Sequence, residues 1–167
     1  MIGKSEKNRK FRIIPLIISI GLPLLIGGIS SLIIPNMSSI YKSLNKPFFA
    51  PPPIVFPIVW TILYILMGIA SYMVYIKKFK SVDVSSAMFV YLIQLLLNFL
   101  WTIIFFGFRL YGLAFLELFI LIIFVILTIK RFYDKAGKKA ALLMFPYLIW
   151  LIYAAALNFF IWMLNEM

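Results

Sequence analysis

The sequence contains no cysteine and no histidine, and only 5 of its 167 residues are acidic. Without cysteine it has no disulfide bond, no thiol nucleophile and no zinc-thiolate site. Without histidine it has no imidazole base and lacks the most common ligand of zinc, copper and haem iron. These absences exclude most familiar enzyme chemistry, and they predict a protein with no bound metal and no cofactor.

Polar residues are scarce as well, because 13% of the chain is charged whereas 65% is hydrophobic, with a mean hydropathy of +1.08. A soluble domain usually carries about 25% charged residues. Five apolar runs are each long enough to cross about 30 Å of hydrocarbon as a helix. The sequence therefore predicts an all-α integral membrane protein, a five-transmembrane-helix bundle in a single domain over 1–167. The predicted helices cover about 11–34, 54–76, 84–108, 110–129 and 140–164.

The net charge of +11 lies between the apolar runs and is strongly one-sided. Under the positive-inside rule, this asymmetry predicts a cytoplasmic N-terminus and a C-terminus outside. We expect a multi-pass protein of the cell membrane, of the bacterial cytoplasmic type, whose basic residues contact membrane lipid and bind no nucleic acid. The predicted inner side carries Lys4, Lys7, Arg9, Lys10, Arg12, Lys77, Lys78, Lys80, Lys130, Arg131, Lys135, Lys138 and Lys139, and the outer side Lys42, Lys46 and Arg109.

The connection between the first two runs, residues 35–53, is rich in proline and aromatic residues. Its three consecutive prolines, 51–53, fix φ and favour an extended chain, so ordering this segment over a cavity costs less entropy than usual. The segment is therefore predicted to be a lid that caps a ligand. The alternative is a solvated outer loop with interfacial aromatics.

Polar and aromatic residues recur at helical spacing in three of the runs, so that each run presents them on one face. Interhelical packing and hydrogen bonding explain any single position. Together, the faces suit a planar, mostly apolar ligand that is held by stacking and by a few amide groups. In the first run, Gly27 and Ser31 form a pair of small residues that predicts close helix packing. The polar and aromatic face of the second run consists of Trp60, Tyr64, Gly68, Ser71 and Tyr75. That of the third run consists of Gln94, Asn98, Trp101, Thr102 and Phe105, and that of the fifth run of Trp150, Ala154, Asn158 and Trp162.

Glu117 is the one acidic residue well inside an apolar run. A charge at that depth costs about 2.5–3.5 kcal/mol on insertion scales, so the side chain is either neutral or paired. A proton relay usually needs several ionisable groups, which argues against an ion-coupled pump. Glu117 is therefore either a functional intramembrane acid or a structural hydrogen-bonding partner of a neighbouring helix.

Several separate motifs, in order along the chain, strongly resemble the translocator protein family, also called tryptophan-rich sensory proteins or peripheral-type benzodiazepine receptors. The resemblance extends from about Ile20 to Trp162 and includes the family's five-helix layout. The motifs are LNKPFFAPP at 44–52, VFPIVWTILY at 55–64, MGIASY at 67–72, LNFLW at 97–101, FFG at 105–107, LAFLE at 113–117, PYLIW at 146–150 and YAAALN at 153–158.

The resemblance implies a receptor, sensor or transporter-like protein, commonly a homodimer, with a pocket capped by segment 35–53. Family members bind tetrapyrroles such as protoporphyrin IX and haem, and flat ligands such as isoquinolines and benzodiazepines. An alternative that the family also suggests is light-dependent oxidative degradation of protoporphyrin IX by Trp60 and Trp150. A third hypothesis is a structural membrane protein without a ligand. The residues that match the family's pocket are Tyr41, Pro51, Pro52, Trp60, Asn98, Trp150 and Ala154, to which the face of the third run adds Trp101.

The sequence also departs from the family pattern in the first connection and in the last run. Ile40, Phe49 and Ile54 stand where the family often has tryptophan, so this segment offers fewer indole rings for stacking. No lysine or arginine follows Tyr153, so the cholesterol pattern of the family is missing and sterol binding is not supported.

Overall fold

The computed structural model describes residues 12–166, and within this range the chain is helical and without strands. Five helical stretches are long and apolar enough to cross a membrane, so the predicted all-α membrane fold is confirmed. The direction in which the chain crosses the membrane stays a prediction. The helices are α1 (Ile13–Ile33), α2 (Met37–Ser43), α3 (Val55–Tyr75), α4 (Ser85–Thr102), α5 (Tyr111–Ala136), α6 (Lys138–Leu142) and α7 (Phe145–Asn165).

Two short irregular helices extend the long ones. A 3₁₀ segment, Ile76–Lys80, continues α3, and a π-helical segment, Ile103–Phe108, continues α4. The π turn widens the helix where α4 meets the turn to α5, and such turns are frequent at functional sites. Arg109 makes that turn in the left-handed region, at φ 57°.

The predicted loop at 130–139 is wrong. Helix α5 continues to Ala136 rather than ending near Ile129, and α6 begins at Lys138. Gly137 alone separates the two helices, at a φ of 86° that a glycine adopts without strain. Basic residues in a last helical turn favour the helix and reach the water with their long side chains, so the change from apolar to charged residues did not mark the helix end.

Helix α1 packs mainly against α3, α4 forms an antiparallel pair with α5, and α5 packs in turn against α7. The main core lies between α3, α4, α5 and α7 and includes Met67, Leu95, Leu121 and Leu151. Helix α1 contributes few buried residues to it and lies at the edge of the bundle. Pro23 is buried inside α1, which remains one continuous helix across it.

Apart from Glu117, the basic and acidic residues within 12–166 lie towards the two ends of the bundle. The Arg12 guanidinium lies 3.6 Å from the centre of the Phe79 ring, which brings the start of α1 to the end of the 3₁₀ segment. At the same end, the Ser85 backbone N–H donates to Asp83 at 2.9 Å and lowers the pKa of that carboxyl. The predicted basic residues Lys4, Lys7, Arg9 and Lys10 lie outside the described residues.

Candidate functional site

A cavity of about 860 Å³ lies in the half of the bundle that carries the first connection. Its wall comes from the second half of α1, from α2, from the prolines before α3, and from the first half of α3. The end of α4, the π-helical segment and the middle of α7 complete it. Since α3 and α7 touch each other little, the space between them stays open. Cavities of about 300–1,000 Å³ hold drug-sized ligands.

Indole rings from three different helices line the cavity. They belong to Trp60 of α3, Trp101 of α4 and Trp150 of α7, which are three of the four tryptophans in the chain. Phe56 joins them from α3, with its ring centre 6.0 Å from that of Trp150. Large flat faces at several angles around one space can enclose a planar ligand by stacked and edge-to-face contacts.

Most hydroxyl groups in the wall already donate a hydrogen bond. Ser30 and Ser31 donate to backbone oxygens of α1, and Thr61 donates to the Pro57 oxygen at 2.7 Å. The Trp101 indole N–H donates to Asn158 Oδ1 at 3.1 Å. The cavity wall is therefore largely apolar towards a ligand, and its one lysine is Lys42 of α2.

Segment 35–53, which includes α2, contributes residues to the cavity wall. The Tyr41 hydroxyl is buried and donates to the Pro51 oxygen at 3.0 Å. Burial, and secondarily Tyr153, raises the pKa of Tyr41 to about 12, so the hydroxyl keeps its proton at neutral pH. The Lys46 ammonium donates to the backbone oxygens of Tyr41 and Leu44 at 2.9 and 2.6 Å, and so stabilises the last turn of α2.

The same segment is attached to α7. Asn45 and Asn165 form a reciprocal pair, in which the Asn45 N–H donates to Asn165 Oδ1 and the Asn165 amide donates to the Asn45 oxygen, both at 2.9 Å. The Tyr153 hydroxyl donates to the Phe49 oxygen at 3.0 Å. Phe48 is fully exposed, as the outer-loop alternative expects. Segment 35–53 is thus hydrogen-bonded to α7 and exposed at Phe48, and its role as a lid stays a prediction.

Beneath the cavity, two hydrogen bonds join three helices. The Tyr64 hydroxyl of α3 donates to Asn98 Oδ1 at 3.0 Å. The Asn98 amide of α4 then donates to the Tyr147 hydroxyl of α7 at 3.1 Å. Tyr64 contributes to the cavity wall, whereas Asn98 and Tyr147 lie behind it. These bonds hold the floor of the cavity in place.

The structure brings six of the eight predicted binding residues together in the cavity wall and places the other two behind it. Pro51 supports Tyr41 through its carbonyl oxygen, and Asn98 is buried between two tyrosine hydroxyls. Each end of the Asn98 amide is already bonded inside the bundle, and its predicted role in ligand binding stays a prediction. The six are Tyr41, Pro52, Trp60, Trp101, Trp150 and Ala154.

Some wall residues were missed or interpreted differently from the sequence. Gly27 and Ser31 were predicted to serve helix packing, yet both also line the cavity. A Cβ at Gly27 would collide with the Tyr64 ring, so Gly27 also allows the close packing of α1 on α3. Lys42 and Phe106 were not predicted. Their sequence signals were that Lys42 belongs to segment 35–53 and that Phe106 belongs to the FFG motif at 105–107.

Glu117 is buried in α5 and is not part of the cavity wall. Neither of its carboxyl oxygens has a hydrogen-bond partner among the described residues. The predicted hydrogen bond between Glu117 and a neighbouring helix is therefore not formed among the described residues. Within 12–166 the structure has no group of three or more His, Cys, Asp or Glu residues that could hold a metal ion.

Residues 19–163 match the TspO/MBR family. The chain is 39% identical to "Tryptophan-rich protein TspO" of Chlorobaculum tepidum over 155 residues, which cover 92% of this chain and 98% of that protein. It is 43% identical over 125 residues to the protein of the same name from Archaeoglobus fulgidus, with 75% and 79% covered. It is also 35% identical to human "Translocator protein" over 128 residues, 75% of each chain.

Proposed function

The chain belongs to the TspO/MBR family, and we propose that it is a receptor, sensor or transporter-like membrane protein that binds tetrapyrroles and other flat, mostly apolar ligands. The main support for the proposal is that Trp60, Trp101 and Trp150 line one cavity of about 860 Å³. Stacking on several rings contributes about 0.5–1.5 kcal/mol for each aromatic pair beyond the burial of apolar surface. The homodimer and the lipid contacts of the basic residues stay predictions.

Lys42 gives the proposed site a preference among flat ligands. It is exposed, lies in the last turn of α2, and is the one basic side chain among the described residues that line the cavity. A ligand with carboxylate groups on one edge, such as protoporphyrin IX, can place its rings among the indoles and a carboxylate near the ammonium group. An exposed ion pair of this kind contributes about 0.2–1 kcal/mol.

The first prediction concerns affinity for protoporphyrin IX. Protoporphyrin IX is titrated into the protein in detergent, and binding is followed by the porphyrin absorbance. The porphyrin should bind saturably and be displaced by an isoquinoline competitor. The Trp150→Leu variant should bind about tenfold more weakly, since losing ring contacts worth about 1.4 kcal/mol changes the dissociation constant by a factor of ten. Lys42→Met should weaken binding of the diacid and leave binding of its dimethyl ester unchanged.

The matched control is Trp162→Leu. Trp162 lies outside the cavity, packed against Gly112 and the Phe115 ring, whose centre is 5.9 Å away. Equal affinities of the Trp150→Leu and Trp162→Leu variants would place the ligand elsewhere. A wild-type protein that shows no saturation would contradict the proposal and favour the structural hypothesis.

A second candidate function is light-dependent oxidative breakdown of protoporphyrin IX. It is favoured by the position of Trp60 and Trp150 in the wall of the same cavity, because an excited porphyrin bound there would contact oxidisable indoles. In this proposal light and dissolved oxygen supply the reactivity and the protein positions the porphyrin. The chain would then have an enzyme-like activity without a bound cofactor of its own.

The second prediction separates this activity from binding. Under illumination in air, the wild-type complex should form porphyrin oxidation products faster than free porphyrin, whereas Trp60→Phe combined with Trp150→Phe should slow product formation at equal porphyrin occupancy. Chromatography of the pigments measures both rates. Equal rates in the two proteins at full occupancy would reject a role for the indoles, and equal rates with and without protein would reject the activity.

A further inference from the structure

The three indoles of the cavity wall differ in what they can offer to a ligand. The Trp101 N–H donates to Asn158 Oδ1 of α7 at 3.1 Å. The indole N–H groups of Trp60 and Trp150 make no hydrogen bond within residues 12–166. Trp60 and Trp150 therefore keep a donor for a ligand, whereas the donor of Trp101 is already used inside the protein.

Asn158 is buried behind the cavity wall. Its side chain is 1% exposed and does not line the cavity. Its amide nitrogen donates to the Tyr111 backbone oxygen, at the start of α5, at 2.9 Å. The two partners fix the direction of the amide, because an indole N–H only donates and a backbone oxygen only accepts. Rotation of the Asn158 side chain would break both bonds in a buried place, which is costly.

Phe105 covers one face of the Trp101 ring. The two ring centres lie 4.9 Å apart and the ring planes differ by 27°, which is a stacked arrangement. Phe105 is 2% exposed and is not part of the cavity wall. Since Trp101 itself lines the cavity, its other face is the one that remains for a ligand. The indole is thus held at its N–H by α7 and on one face by Phe105.

We propose that Asn158 is a positioning residue that determines which part of a flat ligand lies against α4. By bonding the Trp101 N–H, it keeps the indole ring in the wall and withdraws the donor from the ligand. This part of the cavity then takes the apolar, aromatic portion of the ligand. Carbonyl or carboxylate groups are directed to the other walls, where Lys42, Trp60 and Trp150 keep their donors. The inference rests on the proposed function, because it needs a ligand in the cavity.

The third prediction is a ligand-free test of the Trp101 position, made by NMR on the full chain in detergent micelles with ¹⁵N in its indoles. The chain has four tryptophans, and the signal of Trp101 is identified by its loss in Trp101→Phe. This N–H should exchange with deuterium more slowly than those of Trp60 and Trp150, because it is bonded to a buried amide. Asn158→Leu should shift the Trp101 signal and speed its exchange. A Trp101 signal that ignores Asn158→Leu would overturn the proposal.

A conservative variant and a control separate positioning from general loosening of the bundle. In Asn158→Asp, a protonated carboxyl can accept from the indole and donate to the Tyr111 oxygen, so the slow Trp101 signal should persist at acid pH. Thr128→Val is the control, because Thr128 is buried on α5 and its hydroxyl bonds to the Phe124 oxygen of its own helix. It should leave all indole signals in place. If Thr128→Val moves the Trp101 signal as Asn158→Leu does, the proposal fails.

Binding measures whether the Trp101 position matters to a ligand. Protoporphyrin IX should bind to Asn158→Leu about three- to tenfold more weakly than to the wild-type protein, the factor expected for one ring contact. In a Trp101→Phe background there is no indole N–H to hold, so the same substitution should change the affinity little. Equal weakening in both backgrounds would show that Asn158 acts through packing alone. Asn158→Ala replaces Asn158→Leu if the larger side chain prevents folding.

The failure of this inference differs from the failure of the proposed function. A wild-type protein that keeps the slow Trp101 signal but does not bind protoporphyrin IX contradicts the proposed function. A protein that binds protoporphyrin IX equally well with and without the Asn158 amide contradicts the positioning role and leaves the proposed function standing.

Discussion

The Gly68→Ala variant is expected to lose the packing of α1 on α3. A Cβ at position 68 would lie 2.5 Å from the Ile20 Cα and 2.8 Å from the Ser19 oxygen, both of which are backbone atoms of α1. Backbone cannot turn away as a side chain can, so α1 has to move as a whole. Overpacking of this kind costs about 1–3 kcal/mol.

The displacement should also reach the cavity, because α1 packs mainly on α3 and its Gly27 meets the Tyr64 ring. We expect a lower thermal unfolding midpoint, by about 2–4 °C for each kcal/mol lost, together with weaker binding of protoporphyrin IX. The control is Gly21→Ala on α1 itself, where a Cβ would meet no atom within 4 Å. If both variants unfold at the same temperature, the contact between α1 and α3 does not hold α1 in place.

The Asn98→Leu variant is expected to lower the free energy of unfolding by about 2–4 kcal/mol. It removes both interhelical bonds beneath the cavity and leaves the Tyr64 and Tyr147 hydroxyls without their amide partner. An interhelical bond in a membrane protein averages about 0.6 kcal/mol, and each buried polar group left unpaired costs about 1–3 kcal/mol more. Reversible unfolding in mixed detergent micelles measures the loss.

A mutant cycle identifies the cause of that loss. In a background of Tyr64→Phe and Tyr147→Phe, the hydroxyls are absent, so Asn98→Leu should cost much less than it does in the wild-type chain. If the cost of Asn98→Leu is the same in both backgrounds, the loss comes from packing and not from the hydrogen bonds. The tyrosine variants alone provide the baseline.

Several features of the binding site could be predicted from spacing along one helix. Trp60 and Tyr64 share a face of α3, Trp150 and Ala154 share a face of α7, and all four line the cavity. Spacing could not separate Trp101 from Asn98, which are three residues apart on the same side of α4. The indole lines the cavity, whereas the amide is bonded between the Tyr64 and Tyr147 hydroxyls of α3 and α7.

The ends of the helices were also only partly predictable from the sequence. A window of apolar residues predicted the end of the fourth run near Ile129, yet α5 continues to Ala136. Hydropathy reports where a side chain prefers lipid, whereas a helix continues as long as its backbone bonds are favourable. Lys130 and Arg131 continue helix α5, and their long side chains still reach the water.

The sequence by itself determined that lipid surrounds this protein, that five helical stretches can cross it, and that cysteine and histidine chemistry is missing. Each of these follows from composition or from a local average along the chain. Only the tertiary structure decided that Gly27 joins the cavity wall, that Asn98 is bonded beneath it, and that Gln94 and Glu117 are buried with no hydrogen-bond partner among residues 12–166. Those facts depend on the rotation and separation of helices far apart in sequence, which are set by contacts that no local pattern contains.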